Sequence, residues 1–138
     1  MTILSFKKID EAFKRIRSSI LRTPLITNQY INNITGAKIF FKLENLQWTG
    51  SFKLRGAVNK IKKLDFSQKK NGVVAYSSGN HAQAVAYASK INKINAKIVM
   101  PKGAKKNKIE NTRRFGAEII LYDSFYESRE EIANTIAK

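Results

Sequence analysis

Hydrophobic residues at helical spacing dominate the first part of the chain. Apolar residues recur three and four positions apart from residue 6 to residue 19, which predicts an amphipathic helix that ends before Pro24. A shorter helix is predicted over residues 28–34, closed by Gly36. A strand is predicted to follow over residues 38–44. We therefore expect two helices and one strand within residues 6–44.

The remainder of the chain alternates short apolar runs with helical patterns. The apolar runs over residues 73–76, 96–100 and 118–122 are typical of strands buried in a parallel sheet. Helices that alternate with such strands indicate βαβ units, so we predict an α/β fold in which helices flank an open parallel sheet in three layers, αβα. The predicted helices cover residues 52–64, 81–90, 105–115 and 124–138.

A polar, lysine-rich connection over residues 65–72 is the best candidate for an internal boundary. It separates a first part, residues 1–66, from a small α/β domain, residues 71–138. The last predicted helix has no capping residue, and no strand follows it. We therefore expect the fold to be incomplete and the second domain to be truncated at its C-terminal end.

Composition narrows the class of protein. The 138 residues include no cysteine and one histidine, so we expect neither a disulfide framework nor a zinc site. No apolar run approaches the roughly 20 residues of a membrane span, and the N-terminal residues lack the pattern of a secretion signal. The expectation is a cytoplasmic protein with no membrane segment and no metal site.

The net charge of +16 has three interpretations. Residues 66–109 hold nine lysines and no acidic residue, a pattern that can mark a surface for nucleic acid or an anionic membrane. The joint abundance of lysine, isoleucine and asparagine favours compositional drift instead, and no DNA- or RNA-binding motif accompanies the charge. Attraction of an anionic cofactor or substrate is the third interpretation.

Two short motifs contain the candidate chemistry. The first places Lys53 in the first turn of a predicted helix, with Ser51 as its N-cap. The positive end of the helix macrodipole disfavours an ammonium there, and Arg55 adds positive charge, so both favour a neutral, nucleophilic amine. Phe52 either offers a face on which a planar ring can pack or is an ordinary aromatic residue of the core. Gly56 leaves room either for a ligand or for close helix packing.

The second motif follows the predicted strand over residues 73–76 and opens the next helix. In open parallel sheets, ligands bind at the carboxyl ends of the strands, and the first N–H groups of a helix bind anions because they have no internal partners. A carboxylate or a phosphate therefore fits this turn. His81 suits a structural or anion-contacting role better than a catalytic one. Side chains that can add hydrogen bonds are Ser77, Ser78, Asn80 and Gln83.

Together, the two motifs resemble the threonine dehydratase and serine racemase family, which are pyridoxal-phosphate enzymes of fold type II with a tryptophan-synthase-β-like fold. The resemblance covers essentially the whole chain, and this pair of motifs at this separation is highly specific. The motifs are Gly50-Ser51-Phe52-Lys53-Leu54-Arg55-Gly56-Ala57 and Ser77-Ser78-Gly79-Asn80-His81-Ala82-Gln83, supported by Arg22-Thr23-Pro24-Leu25, Phe41-Lys42-Leu43-Glu44-Asn45 and Phe115-Gly116-Ala117-Glu118.

The resemblance implies a role for each matching residue. Lys53 is expected to bind the aldehyde of pyridoxal 5'-phosphate covalently and later to move the α-proton of the substrate. Phe52 is expected to lie beside the cofactor ring, and Asn80 to contact the 3-hydroxyl of that ring. The residues expected to hold the substrate carboxylate are Ser77, Ser78, Asn80 and His81.

The implied activity is the elimination of ammonia from L-threonine or L-serine to give 2-oxobutanoate or pyruvate, a reaction of amino-acid metabolism that includes isoleucine biosynthesis. Serine racemase is the alternative within enzymes, because racemases of this family place a serine at the position of Ser78, as an acid–base on the face opposite the lysine. A helix-capping hydroxyl is the other interpretation of Ser78. An inactive remnant or a basic interaction module is the alternative from another class.

Family members are more than twice as long as this chain. Their glycine-rich phosphate loop, and the residue that faces the pyridine nitrogen, lie beyond the part that this chain resembles. We therefore expect these 138 residues to be an N-terminal part that binds the cofactor weakly and hardly turns over threonine. A homo-oligomer is expected for the full-length protein, and a separate complementing C-terminal chain is a further option.

Overall fold

The structure is a computed structural model that describes residues 4–138. Its first part contains three helices and a two-stranded antiparallel ribbon in which Leu25 pairs with Lys42 and Ile26 with Phe41. Short 3₁₀ turns at Arg17–Ser19 and Glu44–Leu46 join these elements. The elements are α1 (Phe6–Ile16), β1 (Leu25–Ile26), α2 (Gln29–Thr35), β2 (Phe41–Lys42) and α3 (Lys53–Lys62).

A three-stranded parallel sheet with strand order β3-β4-β5 organises the rest of the chain. Its register pairs Ala75 with Ile98, and Ile98 with Ile119. The elements are α4 (Phe66–Asn71), β3 (Val73–Tyr76), α5 (Asn80–Ile91), β4 (Ala96–Pro101), α6 (Lys106–Arg114), β5 (Glu118–Tyr122) and α7 (Arg129–Ala137). The alternation of strands and helices predicted from the sequence is confirmed.

Helices cover both faces of this sheet. Ile98 and Met100 of β4 are fully buried in the larger core, which also contains residues of α3 and α5. Val99, between them, points to the opposite face and packs in a smaller core with Tyr122 of β5 and Ala133 of α7. Successive strand residues therefore supply two separate cores, as expected for a strand buried on both sides. The predicted three-layer αβα arrangement is confirmed.

Local sequence signals account for three helix ends in the first part. Ser5 accepts a hydrogen bond from the Lys8 backbone N–H at the start of α1. Asn28 does the same for Ile31 at the start of α2, at 3.1 Å. Gly36 ends α2 in the left-handed region at φ 64°, a conformation that glycine adopts without steric cost.

Three local predictions are wrong in detail. The strand predicted over residues 38–44 is reduced to Phe41–Lys42, since only these residues pair with β1. The connection predicted over residues 65–72 contains α4, which begins with a reciprocal capping box between Asp65 and Gln68. The helix predicted from residue 124 begins only after Ser128, whose hydroxyl accepts from the Glu131 N–H.

The expected N-cap of α3 is also wrong. Phe52 occupies the cap position in helical conformation and makes no side-chain capping bond. The Ser51 and Thr49 hydroxyls are buried, and neither has a hydrogen-bond partner within residues 4–138. The chain reaches the helix through Gly50, at φ 69°, so a glycine turn sets the entry into α3.

Candidate functional site

The two sequence motifs lie together because the helices that follow them pack against each other. Leu54 and Val58 of α3 are fully buried in one core with Ala82 and Ala86 of α5. Lys53 is the first residue of α3, and Asn80 is the first residue of α5. Burial of the two apolar faces therefore brings the candidate amine toward the candidate anion-binding turn.

His81, in the turn, is close enough to Lys53 to be affected by its charge. Desolvation by the surrounding protein lowers the pKa of His81 below its usual value, although the side chain keeps solvent access, and the positive charge of Lys53 lowers it further. The imidazole is therefore held toward its neutral form. A neutral imidazole with a free nitrogen can donate to, or accept from, a ligand at the turn.

Lys53 and Phe52 lie on an open surface. The Lys53 Nζ atom is 5.0 Å from the centroid of the Phe52 ring, and the ring itself is 59 % exposed. Gly56, one turn further along α3, is exposed, and a Cβ built there would meet nothing within 4 Å. Among residues 4–138, close helix packing therefore does not explain Gly56. The open face of α3 leaves space for a planar ligand.

A charged cluster fixes the first turn of α3. The Arg55 guanidinium donates two hydrogen bonds to Glu44, and Glu44 also accepts from the Thr23 hydroxyl at 2.6 Å. Lys42 donates to the backbone carbonyl of Thr23 at 2.6 Å. Arg55 is therefore neutralised by Glu44, which corrects the expectation that its charge acts on Lys53. Its contribution is to hold the helix that carries the amine.

The turn after β3 is held by backbone hydrogen bonds and by one bond to the Ser77 hydroxyl. The Ser77 N–H donates to the Val99 carbonyl at 3.0 Å, which aligns the turn with β4. The Ser77 hydroxyl accepts from the Gly79 N–H at 3.2 Å, and Gln83 closes the first helical turn onto the Gly79 carbonyl at 3.1 Å. α5 has no side-chain cap, so its first amides remain available to an anion.

A cleft of about 160 Å³ lies at the carboxyl ends of the three parallel strands. It is lined by Ser77 and Ser78 from the turn and by Arg129 from the first turn of α7. Arg129 stacks on the Tyr76 ring at 5.2 Å and pairs with Glu130, whose carboxylate raises the pKa of the guanidinium. A permanently charged side chain therefore lines the same cleft as the two serines.

Sequence reasoning missed Arg129 and a second cation, Lys108. The Lys108 Nζ atom donates to Asn80 Oδ1 at 2.7 Å, from α6 to the start of α5. A parallel sheet brings the carboxyl ends of its strands together, so the segments after β4 and β5 were the places to search. No sequence signal distinguishes these two cations from the many others.

A sequence model of the family described as pyridoxal-phosphate dependent enzyme matches residues 16–138 of the chain. The chain belongs to this family. The resemblance inferred from the two motifs is thereby confirmed, and so is the fold type.

Curated relatives of this pyridoxal-phosphate family member have several names. An L-threo-3-hydroxyaspartate ammonia-lyase from a Pseudomonas species is 44% identical over 138 residues, all of this chain and 43% of the relative. A serine racemase from Arabidopsis thaliana is 48% identical, and the match covers 97% of this chain and 40% of the relative. An L-threonine ammonia-lyase from Thermotoga maritima is 44% identical over 95% of this chain and 33% of its own length.

Among solved structures, maize serine racemase superposes with a TM-score of 0.93 at 43% identity, covering 98% of this chain and 41% of that one. The chain thus spans about two fifths of the length of the first of these relatives. The cofactor of the family needs an amine, a face for its ring and donors for anionic groups. Lys53, Phe52 and the start of α5 provide these, so the residues present fit part of that cofactor.

Two findings concern what residues 4–138 do not contain. Within this range, no helix is both long and apolar enough to cross a membrane. The same range holds no cluster of three or more histidine, cysteine or acidic side chains arranged for a metal ion.

Proposed function

We propose that this chain supplies the amine and the carboxylate-binding turn of a pyridoxal-phosphate dependent ammonia-lyase that acts on L-threonine or L-serine. The observation that supports this most strongly is the position of Lys53, whose charge acts on His81 in the turn that follows β3. An amine and an anion-binding turn on two packed helices can hold both ends of one amino acid.

In this proposal, the first amides of α5 and the side chains of the turn bind the substrate carboxylate. Donors that are already oriented lose little entropy when the anion arrives. Bound pyridoxal phosphate supplies an electron sink for the negative charge that develops at Cα. Phe52 would lie beside the ring, and Asn80 would donate to its 3-oxygen. The side chains that surround the carboxylate are those of Ser77, Ser78, Asn80 and His81.

Lys53 performs the proton transfer at Cα. Its free amine takes the α-proton, and the β-hydroxyl then leaves with a proton as water. Addition of water to the remaining unsaturated product releases ammonia and gives 2-oxobutanoate from threonine or pyruvate from serine. Lys53 is the first residue of α3 and supplies the amine that this step requires.

Serine racemisation is a second candidate, favoured by Ser78. Ser78 is exposed and lines the cleft from the turn. In this second candidate, its hydroxyl returns a proton to Cα from the side opposite the amine. A helix-capping role is not supported by the hydrogen bonds of this turn, because the hydroxyl that accepts from Gly79 is that of Ser77.

Arg129 favours a third candidate, a substrate with a second carboxylate. Arg129 lines the same cleft as Ser77 and Ser78, so a substrate held at the turn can extend a side-chain carboxylate toward it. Guanidinium groups bind carboxylates through two parallel hydrogen bonds. The relative named as a hydroxyaspartate ammonia-lyase is consistent with this substrate class.

The rest of the protein is also a matter of proposal. We infer a division into residues 1–66, belonging to the larger cofactor domain, and residues 71–138, the small domain. Large apolar side chains on the first part are exposed, among them Leu25 at 60 % and Tyr30 at 74 %. Further protein, in the same chain, in a complementing chain or in an identical subunit of a homo-oligomer, would bury them. A cytoplasmic location in amino-acid metabolism, including isoleucine biosynthesis, fits this proposal.

Titration with pyridoxal phosphate tests the proposed function. The wild-type chain should develop the absorption band of a lysine adduct with low affinity, and Lys53→Ala should remove it. Lys60→Ala, an exposed lysine two turns along α3, is the control and should retain the band. A band that survives Lys53→Ala would move the interpretation to an inactive remnant or a basic interaction module. Normal threonine turnover by the 138 residues alone would refute the expected weak activity.

A further inference from the structure

A lysine outside both sequence motifs holds one of the proposed site residues. The Lys108 Nζ atom lies 2.7 Å from Asn80 Oδ1, which connects the first turn of α6 to the first residue of α5. Lys108 is half-buried, and its backbone carbonyl accepts from the Thr112 hydroxyl at 2.8 Å. Thr112 is fully buried, so the segment that presents Lys108 is fixed against the core.

The chemistry of this contact determines the orientation of the Asn80 amide. An ammonium has three donors and no acceptor, so only the oxygen of the amide can face it. The two N–H bonds of Nδ2 then point away from α6. Without Lys108, the two ends of the amide are nearly equal in shape and either could face the site. Lys108 therefore makes Asn80 a donor toward its free side.

Local charge favours an acceptor that is anionic. Lys108 has no carboxylate partner among the ion pairs formed by residues 4–138, and residues 66–109 contain no acidic side chain. Lys108 lies beside the positive end of α5. An ionised oxygen that accepts from Asn80 would be stabilised by Lys108 and by the positive end of α5.

We propose that Lys108 is a positioning residue that locks Asn80 with its Nδ2 group toward the site, where it donates to the ionised 3-oxygen of pyridoxal phosphate. This inference rests on the proposed function. It assigns to α6 a part in cofactor binding that neither sequence motif contains. Lys108 acts through Asn80 and need not touch the cofactor itself.

The first test uses the cofactor-free chain and the side-chain amide resonances of Asn80, assigned with Asn80→Asp. Lys108→Met removes the ammonium and keeps the stem, so the Asn80 resonances should shift. Lys108→Arg keeps a pure donor and should restore them toward the wild-type positions. Lys106→Met, on the same helix with the same loss of charge, is the control and should leave them in place. Unchanged Asn80 resonances in Lys108→Met would overturn the proposed orientation.

The second test measures affinity for pyridoxal phosphate in the same variants. Loss of a hydrogen bond to a charged acceptor should weaken binding about tenfold in Lys108→Met, whereas Lys108→Arg should recover most of the loss. Equal affinities of Lys108→Met and Lys106→Met would overturn the role in cofactor binding. If the wild-type chain does not bind pyridoxal phosphate through Lys53, the proposed function is rejected instead. The Asn80 amide resonances of the cofactor-free chain then still decide whether Lys108 orients Asn80.

Discussion

Arg55 and Glu44 form a two-bond ion pair that ties the start of α3 to the ribbon of β1 and β2. Arg55 Nε donates to Glu44 Oε2 at 2.9 Å, and Nη2 donates to Oε1 at 2.6 Å. Both side chains are largely shielded, with 27% and 16% of their surface exposed. The hydrogen bond from Arg55, helped by Thr23, holds the pKa of Glu44 at about 2 rather than 4.5.

The first prediction follows from this depressed pKa. Glu44 contributes stability at pH values above about 4.5, and that contribution is lost as pH falls through about 2. Glu44→Gln should therefore lower the free energy of unfolding by about 3 kcal/mol at neutral pH. The difference from wild type should shrink as pH falls toward about 2, as measured by urea unfolding at several pH values.

Asp10→Asn is the matched control for Glu44→Gln. Asp10 pairs with Lys14 across one helical turn at 2.8 Å, but both side chains are exposed. Such surface pairs contribute roughly 0.3–0.5 kcal/mol, so the control should change stability little. Equal effects of the two substitutions would show that the Arg55–Glu44 pair does not stabilise α3 more than a surface pair does.

Gly72 provides a second prediction about stability. It joins α4 to β3 at φ 88°, and a Cβ there would approach the Asn95 carbonyl oxygen to 2.9 Å. That carbonyl accepts from the Val73 N–H at the start of β3, so it cannot move freely. Gly72→Ala should cost about 1–3 kcal/mol in urea unfolding. Gly103→Ala, where a Cβ would meet nothing within 4 Å, should be neutral or slightly stabilising.

The parallel sheet was predictable because each of its strands is a short apolar run between helical patterns, and such runs are typical of buried parallel strands. β3 and β5 coincide with the predicted ranges, and β4 is one residue longer than predicted because it includes Pro101. α4 was missed because its lysines suggested a solvated connection and hid the capping box at Asp65. The strand over 38–44 was overestimated because apolar alternation does not reveal how short the partner strand is.

The candidate site was predictable only where a motif identifies it. Lys53 and the turn at Ser77 could be predicted because the residue types that form turns and helix ends are recognisable in the sequence. Arg129 and Lys108 occupy first turns of helices and look like any other surface cation in a chain of net charge +16. Tertiary packing alone brings them to the cleft and to Asn80. The roles assigned to all of these side chains remain predictions.

Ser78 provides a prediction that separates two activities. In a full-length protein that contains this chain, Ser78→Ala should lower serine racemisation by at least about a hundredfold, because an acid–base group is lost from one face of Cα. Elimination should be nearly unaffected, because Lys53 alone moves the α-proton in that reaction. Both rates can be followed in one assay with L-serine, by measuring the D-serine and the pyruvate that form. Parallel loss of both, or of neither, would reject the proton-transfer role.

Arg129 provides a prediction about substrate class. Arg129→Met in a full-length protein should lower kcat/KM for a β-hydroxy dicarboxylic amino acid at least about tenfold, because a charged hydrogen bond to the second carboxylate is lost. The value for serine should change little. Arg114→Met, an exposed arginine at the end of α6, is the control. An equal effect of Arg129→Met on both substrates would contradict recognition of a second carboxylate.

Titration of His81 shows whether Lys53 lies beside the turn that begins α5, the relationship on which the proposed site depends. His81 is the only histidine in the chain, so its ring protons can be followed by NMR without ambiguity. The Lys53 charge lowers the pKa of His81. Lys53→Met removes the charge and keeps the stem, so the pKa of His81 should rise, whereas Lys60→Met should leave it unchanged. An identical His81 titration in wild type and Lys53→Met would show that the amine and the turn do not form one site.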